Sequence, residues 1–293
     1  MSYMLKGTLL IVGAATCWGM GGVAGQYLAQ FHQVDMVWLV MVRQILAGLM
    51  FLSFAALAQK QNVLQVMRDM PKDIIEFSFL GILGAQLGFY YTIPLCNAAT
   101  ATVLQYMAPI YVMIYMSYKN RRIPEGKELL GICGAILGVF LIATHGDPGN
   151  LALSPVALTI GIVSAISYAY YSIKPVELLK HYSSSLIIGW GQLLSGLFLT
   201  LFRNPFAPSG SWNTVAYLSF VYLVLGATIA SYAFYLAGLK IVGPTKASLI
   251  SCAEPLASII AVVALLNTEL VLQDYLGMGC IIFTVLLLSI PRK

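Results

Sequence analysis

The chain has 293 residues, of which 59% are hydrophobic and 9% charged, with a net charge of +5 and a mean hydropathy of +0.85. A soluble domain carries roughly a quarter charged residues, so a water-soluble fold is excluded, and no polar stretch is long enough to hold a separate soluble domain. The apolar runs lack the two-residue alternation of a transmembrane β-barrel, which leaves an all-α integral membrane protein.

Apolar runs of about 17–25 residues, the length a bilayer-crossing helix needs, follow one another from end to end, and ten transmembrane helices are expected. Span one, 5–28, follows a single lysine and shows no small-residue cleavage signature, so it reads as a first helix and not as a removed signal peptide. It carries Trp18 beside Gly21 and Gly25, a small-xxx-small pair suited to close helix packing. Span two, 36–57, contains Arg43, and span three, 74–95, offers Gln86 and Tyr90. In span four, 101–118, Thr102, Gln105, Tyr106 and Pro109 recur at i, i+3, i+4 and i+7 and are expected on one face. Span five, 129–144, precedes the linker HGDPGNLALSP, 145–155. Span six, 156–173, contributes Ser164, Ser167, Tyr168 and Tyr171, and span seven covers 186–202. In span eight, 215–239, Thr228, Ser231, Tyr232 and Tyr235 are expected on one face. Span nine, 247–266, repeats the spacing of span four with Ser251, Glu254, Pro255 and Ser258, and span ten covers 275–290.

The two mid-span prolines are hinge candidates. Proline lacks an N–H, so Pro109 is expected to free the carbonyl of Gln105, and Pro255 that of Ser251. A free carbonyl at that depth is costly unless it meets a cavity or another helix.

Sliding the chain by 146 residues superposes the two prolines and also places Ala101 on Ala247, Leu130 on Leu276 and Gly131 on Gly277. At a slightly longer offset AATCWGMGG, 14–22, resembles SAISYAYYS, 164–172. Two five-span repeats are therefore expected, 1–147 and 148–293. Because five is odd, the second must be inserted upside down. With both termini inside, fourteen basic residues fall on the cytoplasmic side: Lys6; Lys60, Arg68, Lys72; Lys119, Arg121, Arg122, Lys127; Lys174, Lys180; Lys240, Lys246; and Arg292, Lys293. Only Arg203 falls outside, and Arg43 lies within a span. This asymmetry obeys the positive-inside rule, so the positive net charge reflects topology, and nucleic acid is not an expected partner.

Enzyme chemistry finds no foothold. His32, His145 and His181 all lie in breaks between spans, and there is no H-E-x-x-H, G-x-S-x-G or P-loop motif. The five cysteines, Cys17, Cys96, Cys133, Cys252 and Cys280, have neither metal-ligand spacing nor a disulfide framework. No cofactor and no metal is expected.

Ten spans in two five-helix copies resemble the drug/metabolite transporter superfamily, EamA type. The resemblance spans essentially the whole chain and is carried by AATCWG in span one, VRQILAGL with Arg43 in span two, ATATVLQYMAPIY in span four, and ASLISCAEPLASIIAVVALLNTELVLQDYLGMGCIIF across spans nine and ten. In that family the last stretch typically has Glu-Pro within span nine and a glutamate at its end, here Glu254, Pro255 and Glu269. The first copy departs from this, with Ala108 before its proline and Ile123 in the loop position. The resemblance implies export or exchange of small metabolites, often amino acids, driven by ion or substrate gradients.

Inverted repeats are the ground plan of secondary transporters, whose solute site lies near the bilayer midplane between interrupted helices. Gln105, Tyr106, Ser251, Glu254, Trp18, Arg43, Gln86, Tyr90, Tyr168, Tyr232 and Tyr235 are the expected lining of a polar and aromatic chamber for an amino acid or related amphipathic solute. Arg43 and Glu254 are charges within spans, where an unpaired charge costs several kcal/mol. They have three readings: a mutual ion pair, contacts to the solute's carboxylate and ammonium, or, for Glu254, a proton carrier. The expected activity is secondary transport by alternating access. A multidrug efflux carrier is the alternative, and a channel or non-transporting scaffold ranks below it. Expected partners are a small-molecule substrate, the bilayer, and a coupling proton or counter-substrate; a homodimer is compatible with the sequence. The expected location is the cell membrane, multi-pass, with both termini cytoplasmic. Cysteines placed one at a time at positions 149 and 209, in a background lacking the native thiols, should react with an impermeant reagent on intact cells. Cysteines at 62 and 182 should not, and the reverse pattern would overturn the orientation.

Overall fold

The computed structural model describes residues 3–119, 121, 123, 126–147, 152–242, 250, 251 and 253–289, apart from the side chains of Tyr3, Pro109, Lys127, Glu128, Leu236, Leu239, Lys240, Leu288 and Ser289. Within these residues the secondary structure is helical, without strands. We number the long helices α1 (Tyr3–His32), α2 (Met36–Leu57), α3 (Pro71–Leu95), α4 (Ala98–Lys119), α5 (Gly126–Thr144) and α6 (Pro155–Ile173). They continue with α7 (Ser184–Leu199), α8 (segments Thr214–Val224, Leu225–Ala230 and Ser231–Val242), α9 (Ala253–Leu266) and α10 (Leu272–Ser289). Six stretches, containing α1 to α4, α6 and most of α8, are long and apolar enough to cross a membrane. Shorter apolar helices stand where spans five, seven, nine and ten are expected.

One of the expected continuous spans is interrupted within the described residues. The helix of α4 stops at Gln105 and restarts at Ala108. Around the break Tyr106 N–H bonds Thr102 O and Met107 N–H bonds Leu104 O, and the second half opens with Ile110 N–H on Met107 O. The helix therefore does not run unbroken from Gln105 to Pro109. Pro109 is the second residue of a new half-helix, where an N–H would have no intrahelical partner anyway. Pro255 lies in α9, and Ile250 and Ser251 ahead of it are helical as well.

Helices α3 and α8 each contain a π-helical stretch, Phe77–Leu83 and Leu225–Ala230. Such widened turns disturb the backbone ladder, and side chains complete it. Ser195 of α7 donates to Ser78 O at 2.7 Å, and Thr228 donates to Leu223 O five residues back at 2.8 Å.

Lipid tails are as apolar as leucine, so small residues and close backbone approach hold such helices together. Helix α2 lies along α7, and α5 along α10; α1 packs against α8 and α9, whereas α6 packs against α3 and α4. At the α5–α10 crossing a Cβ on either Gly138 or Gly277 would sit 2.7 Å from the other's carbonyl oxygen. At the α2–α7 crossing a Cβ on Gly48 would meet the backbone of Leu193 at 2.6 Å, and one on Gly196 the backbone of Ile45 at 2.8 Å.

Polar contacts gather the connections at two ends. At one end Arg203 pairs with Asp35 at 2.8 Å, His145 with Asp274 at 3.0 Å, and His32 Nδ1 reaches Ser211 O at 2.9 Å. At the other, Lys174 binds Asp73 at 2.9 Å and Glu76 at 2.5 Å, and Tyr182 donates to Asp69 at 2.6 Å. Asp35 also caps α2 by accepting from Trp38 N–H at 2.9 Å. Partial burial works against its charge, but the Arg203 guanidinium and the Trp38 N–H outweigh it and hold the Asp35 carboxyl below its usual range. A lowered carboxyl stabilises fully above the ordinary aspartate pKa of about 3.9 and loses that contribution as pH falls through the folded value. Asp35→Ala should therefore cost about 1 kcal/mol at neutral pH, the size of a lost helix cap, and the deficit should vanish in acid. Thermal unfolding of both proteins from pH 7 to pH 3 checks this, and a deficit that persists unchanged at pH 3 would refute it.

Candidate functional site

The break in α4 meets the Glu-Pro stretch of span nine. Tyr106 caps the first half of α4, and its hydroxyl lies 2.9 Å from both Ser251 O and Glu254 Oε2. The Ser251 carbonyl, four residues before Pro255, is thus met by a side chain from the interrupted α4. Glu254 lies in α9 directly before Pro255. Helix α1 reaches this stretch through Gly19, whose Cβ, if it had one, would sit 2.7 Å from Glu254 O and 3.0 Å from Ser258 N. That contact brings Trp18 alongside.

The polar face expected on span four is divided between neighbours. Thr102 turns to α9, 3.4 Å from Ser258 Oγ, as does Tyr106. Gln105 points the other way and donates to Ala85 O at 3.0 Å and Ser164 Oγ at 2.9 Å, tying α4 to α3 and α6. The side chain of Pro109 lies outside the described residues.

Aromatic side chains form a continuous wall. Trp18 contacts Tyr232 and Tyr235, with ring centroids 5.8 and 5.5 Å apart, and Tyr232 contacts Phe51 of α2 edge-on at 5.8 Å. The hydroxyls of Tyr232 and Tyr171 are 3.0 Å apart, and Tyr171 stacks between Tyr168 and Phe77. Glu254, Tyr168 and Tyr232 are each partly buried. A separate apolar groove of about 260 Å³ between α2 and α8, lined by Leu46, Met50, Phe220, Val221, Val224 and Leu225, contains none of the expected residues.

Arg43 is 3% exposed. It donates to Thr228 Oγ1 at 3.3 Å and to Gln86 Oε1, and lies 4.6 Å above the ring of Tyr90. Among the described residues no ion pair joins it to Glu254, so of the three readings of these charges the mutual pair is not formed. Gly21 and Gly25 serve packing, as expected: a Cβ on Gly21 would lie 2.6 Å from Ala227 Cβ, and one on Gly25 would lie 2.7 Å from the Tyr90 ring.

One organising residue escaped the sequence reading. Gln26, fully buried in α1, accepts from Ala98 N–H at 2.7 Å at the start of α4 and donates to Thr268 Oγ1 at 3.2 Å beyond α9. Its signal was a pair of amides, Gln26 and Gln30, one turn apart in an otherwise apolar stretch.

An interrupted helix meeting a carboxyl within a second span suits a solute carrier, and comparison with known proteins agrees. The EamA-like transporter family matches this sequence twice, over residues 5–144 and 155–290. The chain belongs to that family. An uncharacterized inner membrane transporter, YicL, of Salmonella typhimurium is 36% identical over 98% of this chain and 96% of its own length. An uncharacterized transporter of Archaeoglobus fulgidus is 24% identical over 95% of this chain and 96% of its own length. A crystal structure at 17% identity superposes with a TM-score of 0.62, covering 96% of this chain and 95% of the other, and so shares the fold. The protein is thus a multi-pass inner membrane transporter of the EamA-like family.

The Tyr106–Glu254 contact can be measured in this EamA-like chain by a double-mutant cycle. Tyr106→Phe and Glu254→Gln should couple by about 1 kcal/mol in thermal stability. Additive effects would show that the hydroxyl and the carboxyl do not interact.

Proposed function

We propose that the protein is a secondary transporter that exports or exchanges an amino acid or related amphipathic solute across the cytoplasmic membrane by alternating access. In this reading ten spans form two inverted repeats, 1–147 and 148–293, with both termini cytoplasmic and the solute held between Arg43 and Glu254 against the aromatic wall. The observation that carries it is the meeting of the interrupted α4 with the Glu-Pro stretch of span nine at Tyr106, Ser251 and Glu254. Interrupted helices near the midplane are how such carriers build a polar site inside a bilayer.

The packing supports the repeat. Exchanging the two halves turns the contacts of α1 with α8 and α9 into those of α6 with α3 and α4, and returns α2–α7 and α5–α10 to themselves. The π-helical stretches in α3 and α8 and the prolines of the second half of α4 and of α9 also exchange. The ion pairs at either end join loops that fourteen cytoplasmic cations and a single external Arg203 would place together.

Counterflow in proteoliposomes tests the reading. Vesicles loaded with an unlabelled amino acid mixture should accumulate labelled amino acid transiently above equilibrium, which a channel or scaffold does not do. With a proton gradient imposed, Glu254→Gln should keep counterflow while gradient-driven uptake loses its pH dependence. Absence of counterflow across amino acids and small amphipathic metabolites would overturn the carrier, and unchanged pH-dependent transport by Glu254→Gln would remove that residue from coupling.

A further inference from the structure

Arg43 is a buried cation with neutral company. Its acceptors are a hydroxyl, Thr228 Oγ1, and an amide oxygen, Gln86 Oε1, with the face of Tyr90 beneath it. Its Nε is buried and has no hydrogen-bond partner among the described residues. The one carboxylate of the chamber, Glu254, is engaged by Tyr106. A guanidinium in this setting has its charge solvated by dipoles alone, an expensive arrangement inside a bilayer.

The helix crossing does not require the charge. The sequence QILAGL, 44–49 in α2, recurs as QLLSGL, 192–197 in α7, and these two segments cross each other. The residue equivalent to Arg43 is Gly191, which packs directly against Ile82 and Phe77, where a Cβ would lie 3.1 Å from Phe77 Cε1. One half thus fills this position with an apolar contact and the other with a buried cation, so the cation serves something other than the fold.

We propose that the Nε–Nη2 edge of Arg43 is the anion subsite of the transport chamber, and that the transported solute is a small organic carboxylate whose two oxygens take that edge. This rests on the transporter reading above and narrows its substrate class. A carboxylate matches the planar fork of a guanidinium, which a single amide oxygen fills only in part. Gln86 is the group that gives way. It keeps accessible surface where Arg43 and Tyr90 are buried, and its Oε1 holds Nη2 while Nε stands empty. The Tyr90 ring, fixed between Gly25 and Phe89, holds the guanidinium plane in position.

Purified full-length protein in detergent is followed by thermal unfolding at constant ionic strength, with sodium phenylacetate, phenylacetamide or sodium chloride added. Phenylacetate, an aromatic carboxylate suited to the ring-lined wall, should raise Tm by a few degrees at about 100 times its Kd. Its uncharged isostere phenylacetamide should not. Arg43→Gln should abolish the response without lowering the starting Tm, since the variant removes an uncompensated charge. Gln86→Leu retains the cation, deletes its neutral acceptor and should bind phenylacetate several-fold tighter. An equal response to phenylacetamide, a response that survives Arg43→Gln, or no response to phenylacetate would overturn the proposal. So would stabilisation by chloride alone, which would make the subsite one for an inorganic ion. If Arg43→Gln fails to fold, Gln86→Leu decides: weaker or unchanged phenylacetate binding refutes the assignment. Counterflow of a solute without a carboxylate would leave the carrier standing and remove this inference, whereas a phenylacetate response without counterflow of any solute would do the opposite.

Discussion

A peptide group at bilayer depth must find its hydrogen-bond partner inside the protein, because lipid offers none. Every departure from regular helix in this chain is built around that constraint. Where α4 stops, its last N–H groups turn back to Thr102 and Leu104, and the Tyr106 side chain supplies a donor to the Ser251 carbonyl. Where α3 and α8 widen into π-helix, Ser195 and Thr228 reach the disturbed carbonyls. Where α4 begins, the Gln26 amide takes its first N–H. Polar side chains within the spans are thus placed by the backbone's needs first, and the chamber is assembled from groups that already hold an interruption together.

This economy gives the two charges different surroundings. Glu254 stands beside a phenol donor, Tyr106, from the other half of the chain. Arg43 stands in the middle of an unbroken helix and borrows its partners from α3 and α8, which also belong to different halves. A change in how those halves sit would alter the surroundings of both charges.

Much of the helical layout was legible in the sequence because hydrophobic length is a strong signal and bilayer thickness leaves it little freedom. The meeting of Tyr106 with Glu254 was half visible: the two Pro-containing spans were marked, but their mutual contact is tertiary. The exact place of the α4 break was not visible. Pro109 draws attention to itself, yet the chain turns at Tyr106 and Met107, since a proline at the second position of a helix causes no break and only tolerates one. Gln105 was grouped with Thr102 and Tyr106 because it stands one turn from Thr102, yet its side chain reaches α3 and α6, a choice of neighbour that helical spacing alone does not fix. Gln26 was passed over because a lone amide near the end of a span resembles an interfacial residue until its backbone partner is known.

The π-helical stretch of α8 separates Thr228, which serves Arg43, from Tyr232 and Tyr235, which serve Trp18. A π turn takes up one residue more than an α turn, so the stretch acts as a phase shifter, setting the angle at which the rest of the helix presents its side chains. Each residue of an α-helix advances about 100° around the axis. Were the same residues to relax to regular α-helix, everything after the stretch would swing by about that angle relative to everything before. Composition and hydropathy would not change, and the span would still cross the bilayer, but Arg43 and Trp18 would no longer both find their partners on it.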